Sequence, residues 1–202
     1  MVSKKTRFLT ITAILSAFAA VLQFLEFPIP FLIPTFVKFD FSDLPALIAA
    51  FLVSPLSGVA VCVVKNIVHL LFTQSAGIGE LANALIGIVM VISAGLIYRR
   101  KPTRRAALVG CIVGSLTAAV LSVFVNYYIS YPFYMRFTPL ETILELYREL
   151  NGGVGTLWDA LILFNAPFTL LKFAIVSAIT FAVYKPLSNA VKRVWGAEGK
   201  ES

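Results

Sequence analysis

The chain has 202 residues, 59% of them hydrophobic and only 13% charged, and its mean hydropathy is +0.89. A soluble domain carries about 25% charged residues, so the composition excludes that class and predicts one integral membrane unit over residues 1–202. The net charge of +7 raises nucleic acid as a partner, but the placement of the charges argues against it.

Lys4, Lys5 and Arg7 precede the first apolar stretch, and Arg99, Arg100, Lys101, Arg104 and Arg105 crowd one short connection. Lys185, Lys192, Arg193 and Lys200 follow the last apolar stretch. Most of the 17 basic residues thus sit in three segments that can share the cytoplasmic face, which is the positive-inside pattern. Cys62 and Cys111 are isolated in apolar runs and read as small buried hydrophobes.

The first span is predicted at residues 8–25. It follows a basic start as a signal peptide would, but no small-residue cleavage site precedes Glu26, so it reads as a retained helix. An apolar segment at 27–36 follows, in which Pro28, Pro30 and Pro34 forbid a regular helix. Further spans are predicted at 44–53, 56–72, 80–98, 106–129 and 156–184. Between the last two, residues 139–150 place Leu140, Ile143, Leu144 and Tyr147 on one side of a helix and Glu141, Glu145, Arg148 and Glu149 on the other. That pattern predicts a helix lying at the interface. Pro167 is expected to kink the last span.

The expected fold is therefore all-α: a bundle of six transmembrane helices with an apolar, Pro-rich outer loop after the first. An even number of spans puts both termini and the basic 99–105 connection on the cytoplasmic side of the inner membrane.

With that topology, Lys65, Asn66, His69, Asn83, Asn126, Asn165 and Lys172 all fall between mid-depth and the outer face. A charge at bilayer depth costs about 2.5–3.5 kcal/mol on insertion scales, so the two lysines require a partner or a wet cavity. Lys65 and His69 share one helix face, as do Asn165, Thr169 and Lys172. A channel would need polar lining at both depths, so this one-sided pattern predicts a pocket opened to the outside.

Tyr127, Tyr128, Tyr131, Phe133 and Tyr134 crowd the outer end of the fifth span. They offer walls for a ring ligand, or equally an interfacial aromatic belt. His69 without a second histidine reads as a satisfied polar residue rather than a metal ligand. Asn83 is open to a helix–helix bond, and Asp159 to a role as a helix-start acid. No HExxH, GxSxG or nucleotide motif is present, so no catalytic residue and no metal ligand is expected. A small membrane enzyme using His69 and Asp159, or a purely structural subunit, are the alternatives of other classes.

Three segments carry a family resemblance. They are Phe39-Asp40-Phe41-Ser42-Asp43-Leu44-Pro45-Ala46, Val64-Lys65-Asn66-Ile67-Val68-His69 and Asn126-Tyr127-Tyr128-Ile129-Ser130-Tyr131-Pro132. Together they resemble the riboflavin-specific substrate-binding (S) components of energy-coupling factor (ECF) transporters, over about residues 8–185. The resemblance implies a transported flavin, riboflavin and as a further candidate flavin mononucleotide, with no resident cofactor. An S component for another vitamin or precursor is the neighbouring alternative. Lys38 or Arg136 would have to supply charge for a phosphate.

Its implied partners are membrane lipid, a transmembrane coupling subunit and paired ATPases. The loop at 28–41, with Phe31, Leu32, Phe36, Phe39 and Asp40, matches the family's lid. Ala13 and Ala17, and a second pair, Ser16 and Ala20, match its small-residue docking stripe, although ordinary packing within the bundle explains such spacing as well. Asn126 and Lys172 match family ligand residues. The family's Asn-x-x-Lys pattern reads Thr169-Leu170-Leu171-Lys172 here, with Asn165 one turn earlier. Lys65, Asn66, Tyr127, Tyr131 and Asn83 complete the expected ligand set, with a second reading for Lys65, that Asp40, Asp43 or another acid holds it and so anchors the lid.

Overall fold

The structure is a computed structural model that describes residues 4–197, with side chains over residues 5, 6 and 8–183. Lys200 lies outside the described residues, as do the side chains of Lys4, Arg7, Lys185, Lys192 and Arg193.

Helix α1 runs Lys4–Phe24. Its inner face is bonded to the next long helix but one, through Thr12 to Ser57 at 2.7 Å and Gln23 Nε2 to Asn66 Oδ1 at 2.9 Å. The Pro-rich segment is not helical, as expected, yet it is not all loop. Strand β1 (Phe27–Pro28) pairs antiparallel with β2 (Lys38–Phe39), placing Phe27 opposite Phe39. This two-residue ladder is the exception to the all-α expectation. Pro28 tolerates the position because it lies on the edge of a two-stranded ribbon.

Helix α2 (Asp43–Leu52) is short and nearly all buried. It sits among α1, α3 (Pro55–Leu70), α4 (Ile78–Arg100) and the last helix. The tight turn into α3 is set by Ser54, whose hydroxyl accepts from the Ser57 amide at 3.1 Å with Pro55 at the first helical position. Gly77, at φ 87, precedes α4. Thr103 caps α5 (Arg104–Tyr134) in the same manner as Ser54. The interfacial helix is present as α6 (Leu140–Arg148), with Ile143, Leu144 and Tyr147 buried. Helix α7 begins at Leu157 under a capping box of Thr156 and Asp159 and continues to Ala197.

Among the described residues, three helical stretches are long and apolar enough to cross a membrane: Ile78–Arg100, Arg104–Tyr134 and Leu157–Val183. Phe8–Phe24, Asp43–Leu52 and Pro55–Leu70 are shorter apolar helices.

Neither α5 nor α7 is regular. In α5 the Tyr131 amide bonds to Asn126 O, and in α7 the Ala166 amide bonds to Leu161 O. Each is a wide π turn, at Asn126–Ser130 and Leu161–Asn165. Each is followed, two residues after its end, by a proline: Pro132 and Pro167. A proline ring clashes with the carbonyl four residues back, and widening the turn removes the clash without breaking the helix. The expected kink at Pro167 is thus a bulge.

Helices α4 and α5 approach closely because Gly110 and Gly114 face Ala94 and Met90. A Cβ built at Gly110 would stand 2.7 Å from Ala94 O, and one at Gly114 2.7 Å from Met90 Sδ. By contrast, nothing lies within 4 Å of a Cβ at Gly152. Gly110→Val is expected to destabilise the protein by about 1–3 kcal/mol through overpacking, and Gly152→Val to leave it near wild type. Thermal unfolding of both variants in one detergent checks the pair.

Candidate functional site

Two lysines and two aspartates meet inside the bundle. Lys65 comes from α3, Lys172 from α7, Asp40 follows β2, and Asp43 opens α2. Lys65 Nζ donates to Asp43 Oδ1 at 2.7 Å and to Ser42 Oγ at 2.5 Å. Ser42 in turn donates its hydroxyl to Asp40 Oδ1, and its amide to the same oxygen at 2.8 Å. Lys172 Nζ lies 2.8 Å from Asp40 Oδ2 and 2.9 Å from Asp43 Oδ2. Lys65 is wholly buried and Lys172 is 8% exposed. Burial alone would raise the Asp40 carboxyl, but Lys172 and Lys65 hold it well below the usual carboxylate range.

Against this cluster lies a cavity of about 630 Å³, within the range of small-molecule sites. Asn83, Asn126, Asn165, Thr169 and Lys172 line it, so α4, α5 and α7 each contribute polar groups. Phe36, Tyr131, Phe133 and Phe168 give it flat apolar surface. The two π turns carry Asn126 and Asn165 themselves. A bulge re-aims the side chains of one turn, and here it brings one amide from each helix to the same cavity. Asn165 Oδ1 accepts from the Tyr147 hydroxyl at 2.8 Å, and Tyr131 bonds to Tyr147 in turn. The α6 helix thereby fixes which end of the Asn165 amide is the carbonyl. Burial raises the Tyr147 phenol well above its ordinary value, so it stays a neutral donor.

The remaining expected residues fall elsewhere. Lys65 does not line the cavity; the two aspartates stand between it and that space. Asn66 is also outside the lining and bridges Gln23, Cys62 O and Asn83. Tyr127 stacks on Trp158, with centroids 4.3 Å apart. His69 does line the cavity, bonded to Glu80 at 2.9 Å, but Lys65 does not, so the Lys65–His69 stripe does not converge on one ligand.

Of the loop residues, Phe36 and Asp40 line the cavity. Phe39, a residue of the ribbon, is buried, Leu32 is half-buried and Phe31 is 85% exposed. On α1, Ala13 and Ala17 are exposed whereas Ser16 and Ala20 turn into the bundle. Asp159 accepts from the Thr156 hydroxyl and amide as a helix cap, which leaves it no pairing with His69.

Sequence reasoning missed Gln23, Glu26, Glu80 and Ser130, all of which line the cavity. Each stands at the end of an apolar helix or in its last turn. There an acid or amide reads as an ordinary solvated terminus, and only the fold shows that these termini ring one space. Glu80 takes the hydroxyls of Thr73 and Ser75 at 2.9 and 2.8 Å besides His69, and Lys38 pairs with Glu26 at 2.5 Å.

Comparison with known proteins agrees with this architecture. The family model "ECF transporter, substrate-specific component" matches residues 7–184. The chain belongs to that family and is a multi-pass membrane protein. It is 32% identical over 189 residues to the riboflavin transporter RibU of Staphylococcus aureus (strain TCH60), covering 93% of both chains. It is 27% identical over 192 residues to the riboflavin transporter FmnP of Bacillus subtilis (strain 168), covering 94% of this chain and 96% of that one. A solved structure, described as the S component of a bacterial ECF transporter, superposes with a TM-score of 0.74 at 29% identity. It covers 93% of this chain and 99% of the other.

Removing one partner of a buried ion pair costs about 3–5 kcal/mol. Asp40→Ala strips Lys172 and Ser42 of the carboxylate they share, and is expected to lower stability by an amount of that order. Exposed Glu141, paired with Arg148 at the surface, is the control, since such pairs are worth about 0–1 kcal/mol. Thermal unfolding of Asp40→Ala and Glu141→Ala side by side checks the difference.

Proposed function

We propose that this chain captures riboflavin outside the cell and serves its uptake as the S component of an ECF-type vitamin transporter. One observation carries the reading. Amide, hydroxyl and ammonium side chains, those of Asn126, Asn165, Thr169 and Lys172, line one aromatic-walled cavity. The family is that of S components, and relatives named as riboflavin transporters align over nearly the whole chain. A tricyclic flavin presents several carbonyl and ring-nitrogen acceptors and an imide donor along one edge, with two flat faces. That demand matches these donors and these rings.

The remaining roles follow from the same reading. Six apolar helices build the bundle within the inner membrane, the short α2 buried among the others, with both termini and the basic 99–105 connection on the cytoplasmic side. The segment 28–41 closes over the ligand, with Phe36 packed edge-on against Tyr131 and Tyr147 at 6.3 Å each. The exposed Ala13 and Ala17 dock the coupling subunit, which works with paired ATPases; Ser16 and Ala20, facing inward, serve the bundle itself. Lys65 and Asn66 act behind the ligand and not on it.

Riboflavin is favoured over flavin mononucleotide because Lys38, the cation nearest to hand for a phosphate, is already paired with Glu26 and Gln74. Arg136 lies over Phe133 and is not part of the lining.

Purified protein is expected to bind flavin and quench its fluorescence. Lys172→Ala and Asn126→Ala are each expected to weaken binding by about 1–3 kcal/mol, the cost of a lost buried hydrogen bond. A protein that binds no flavin sinks the assignment. Wild-type affinity in both variants removes Lys172 and Asn126 from the site, and a different vitamin found by mass spectrometry of the purified protein redirects the reading within the family.

A further inference from the structure

The charge cluster has two sides. The Oδ2 atoms of both aspartates converge on Lys172, which lines the cavity. The Oδ1 atoms of both are held from behind: that of Asp43 directly by Lys65, that of Asp40 by Ser42, which also accepts from Lys65. Lys65 and Ser42 are each 0% exposed, and neither lines the cavity. Lysine has three N–H donors. Two of those on Lys172 are engaged by the aspartates, which leaves the third for whatever fills the cavity.

We infer that Ser42 and Lys65 are positioning residues for the ligand. By fixing the rotation of the two carboxylates, they set the direction of the one Lys172 N–H that remains for cargo. If either carboxylate turned, Lys172 would follow it and its free donor would leave the cavity edge. The two roles differ in kind. Lys172 touches the cargo, whereas Ser42 and Lys65 act only through Asp40 and Asp43. This inference rests on the flavin reading above.

The test is a double-mutant cycle between Ser42 and Lys172. At the positioning end the variant of choice is Ser42→Ala, which alters the support of Asp40 and adds no charge change of its own, whereas Lys65→Met would remove one of the two lysines that pair with Asp43. Riboflavin affinity is measured by fluorescence quenching, and thermal stability on the same samples. Ser42→Ala is expected to weaken riboflavin about fivefold in the wild-type background, the worth of one hydrogen bond. In a Lys172→Met background it is expected to change affinity less than twofold. Its effect on thermal stability is expected in both backgrounds.

Equal weakening in the two backgrounds overturns the inference, because the path through Lys172 would then be irrelevant. Unchanged affinity in the wild-type background overturns it as well. Wild-type protein that fails to bind riboflavin at all overturns the flavin reading and this inference with it, whereas binding with an additive cycle removes the inference alone.

Discussion

The mutual neutralisation of Lys65 and Lys172 by Asp40 and Asp43 is the constraint on which the rest of the site depends. Moving an unpaired charge into an apolar interior carries an effective penalty of several kcal/mol. Four such groups are tolerable together because every charge has a counter-charge within 3 Å, Lys172 bridges the two acids and Ser42 links Asp40 to Lys65. The requirement shapes the backbone. The acids must reach the depth of the lysines, so the chain re-enters the bundle after β2 and begins α2 at Asp43. A helix of 10 residues starting there spans only about 15 Å, which is why α2 is short. Its other residues are almost all apolar and buried, held on every side by longer helices.

A second constraint is the reconciliation of proline with continuous helices. Pro132 and Pro167 lie in α5 and α7, where a broken helix would leave carbonyls without partners in hydrocarbon. The π turns keep the backbone bonded and displace the side chains of one turn. In both helices the displaced turn carries the asparagine that lines the cavity. Polar reach into the bundle and helix continuity are thus obtained from the same local distortion. The cavity-lining stretches of these helices are accordingly the irregular ones, while the Gly110 and Gly114 contact with α4 is tight.

Much of this was legible in the amino-acid sequence. The apolar runs placed the helix starts to within a few residues, because hydropathy over a span is a strong local signal, but the last helix runs on to Ala197, well past the expected end at 184. The interfacial helix was legible because Ile143, Leu144 and Tyr147 recur on one face. Asn126, Asn165, Thr169 and Lys172 were legible because polar groups in such runs are expensive and shared a face or a depth. What was less legible was direction: Asp40 and Asp43 stood only as an alternative partner for Lys65 beside the ligand itself, and no particular partner was expected for His69. Lys65 and His69 sit at i, i+4 and still have separate partners, Asp43 and Glu80, contributed by other elements. A spacing rule fixes the face of a helix and says nothing about which neighbour brings the counter-charge. The π turns were hidden for a related reason: a proline announces a distortion without stating which kind. The two-residue ribbon carries too few residues for any periodicity.

The polar contacts of α1 show how one helix can serve two environments. Thr12 and Gln23 face inward and bond to Ser57 and Asn66. Asn66 continues to Asn83 at 3.3 Å, and Asn83 to Asp40 at 3.5 Å, so α1 is joined to the charge cluster through a series of side-chain amides. Interhelical hydrogen bonds of this kind are worth on average about 0.6 kcal/mol each in membranes. No single one fixes the helix; together they specify its rotation. That rotation is what leaves Ala13 and Ala17 outward, beside Ile14 and Phe18, which are exposed at 52% and 61%. An inward polar series and an outward stripe of small residues therefore have one cause, the register of α1 against α3. A slip of that register would bury the alanines and expose Gln23 to lipid at the same time.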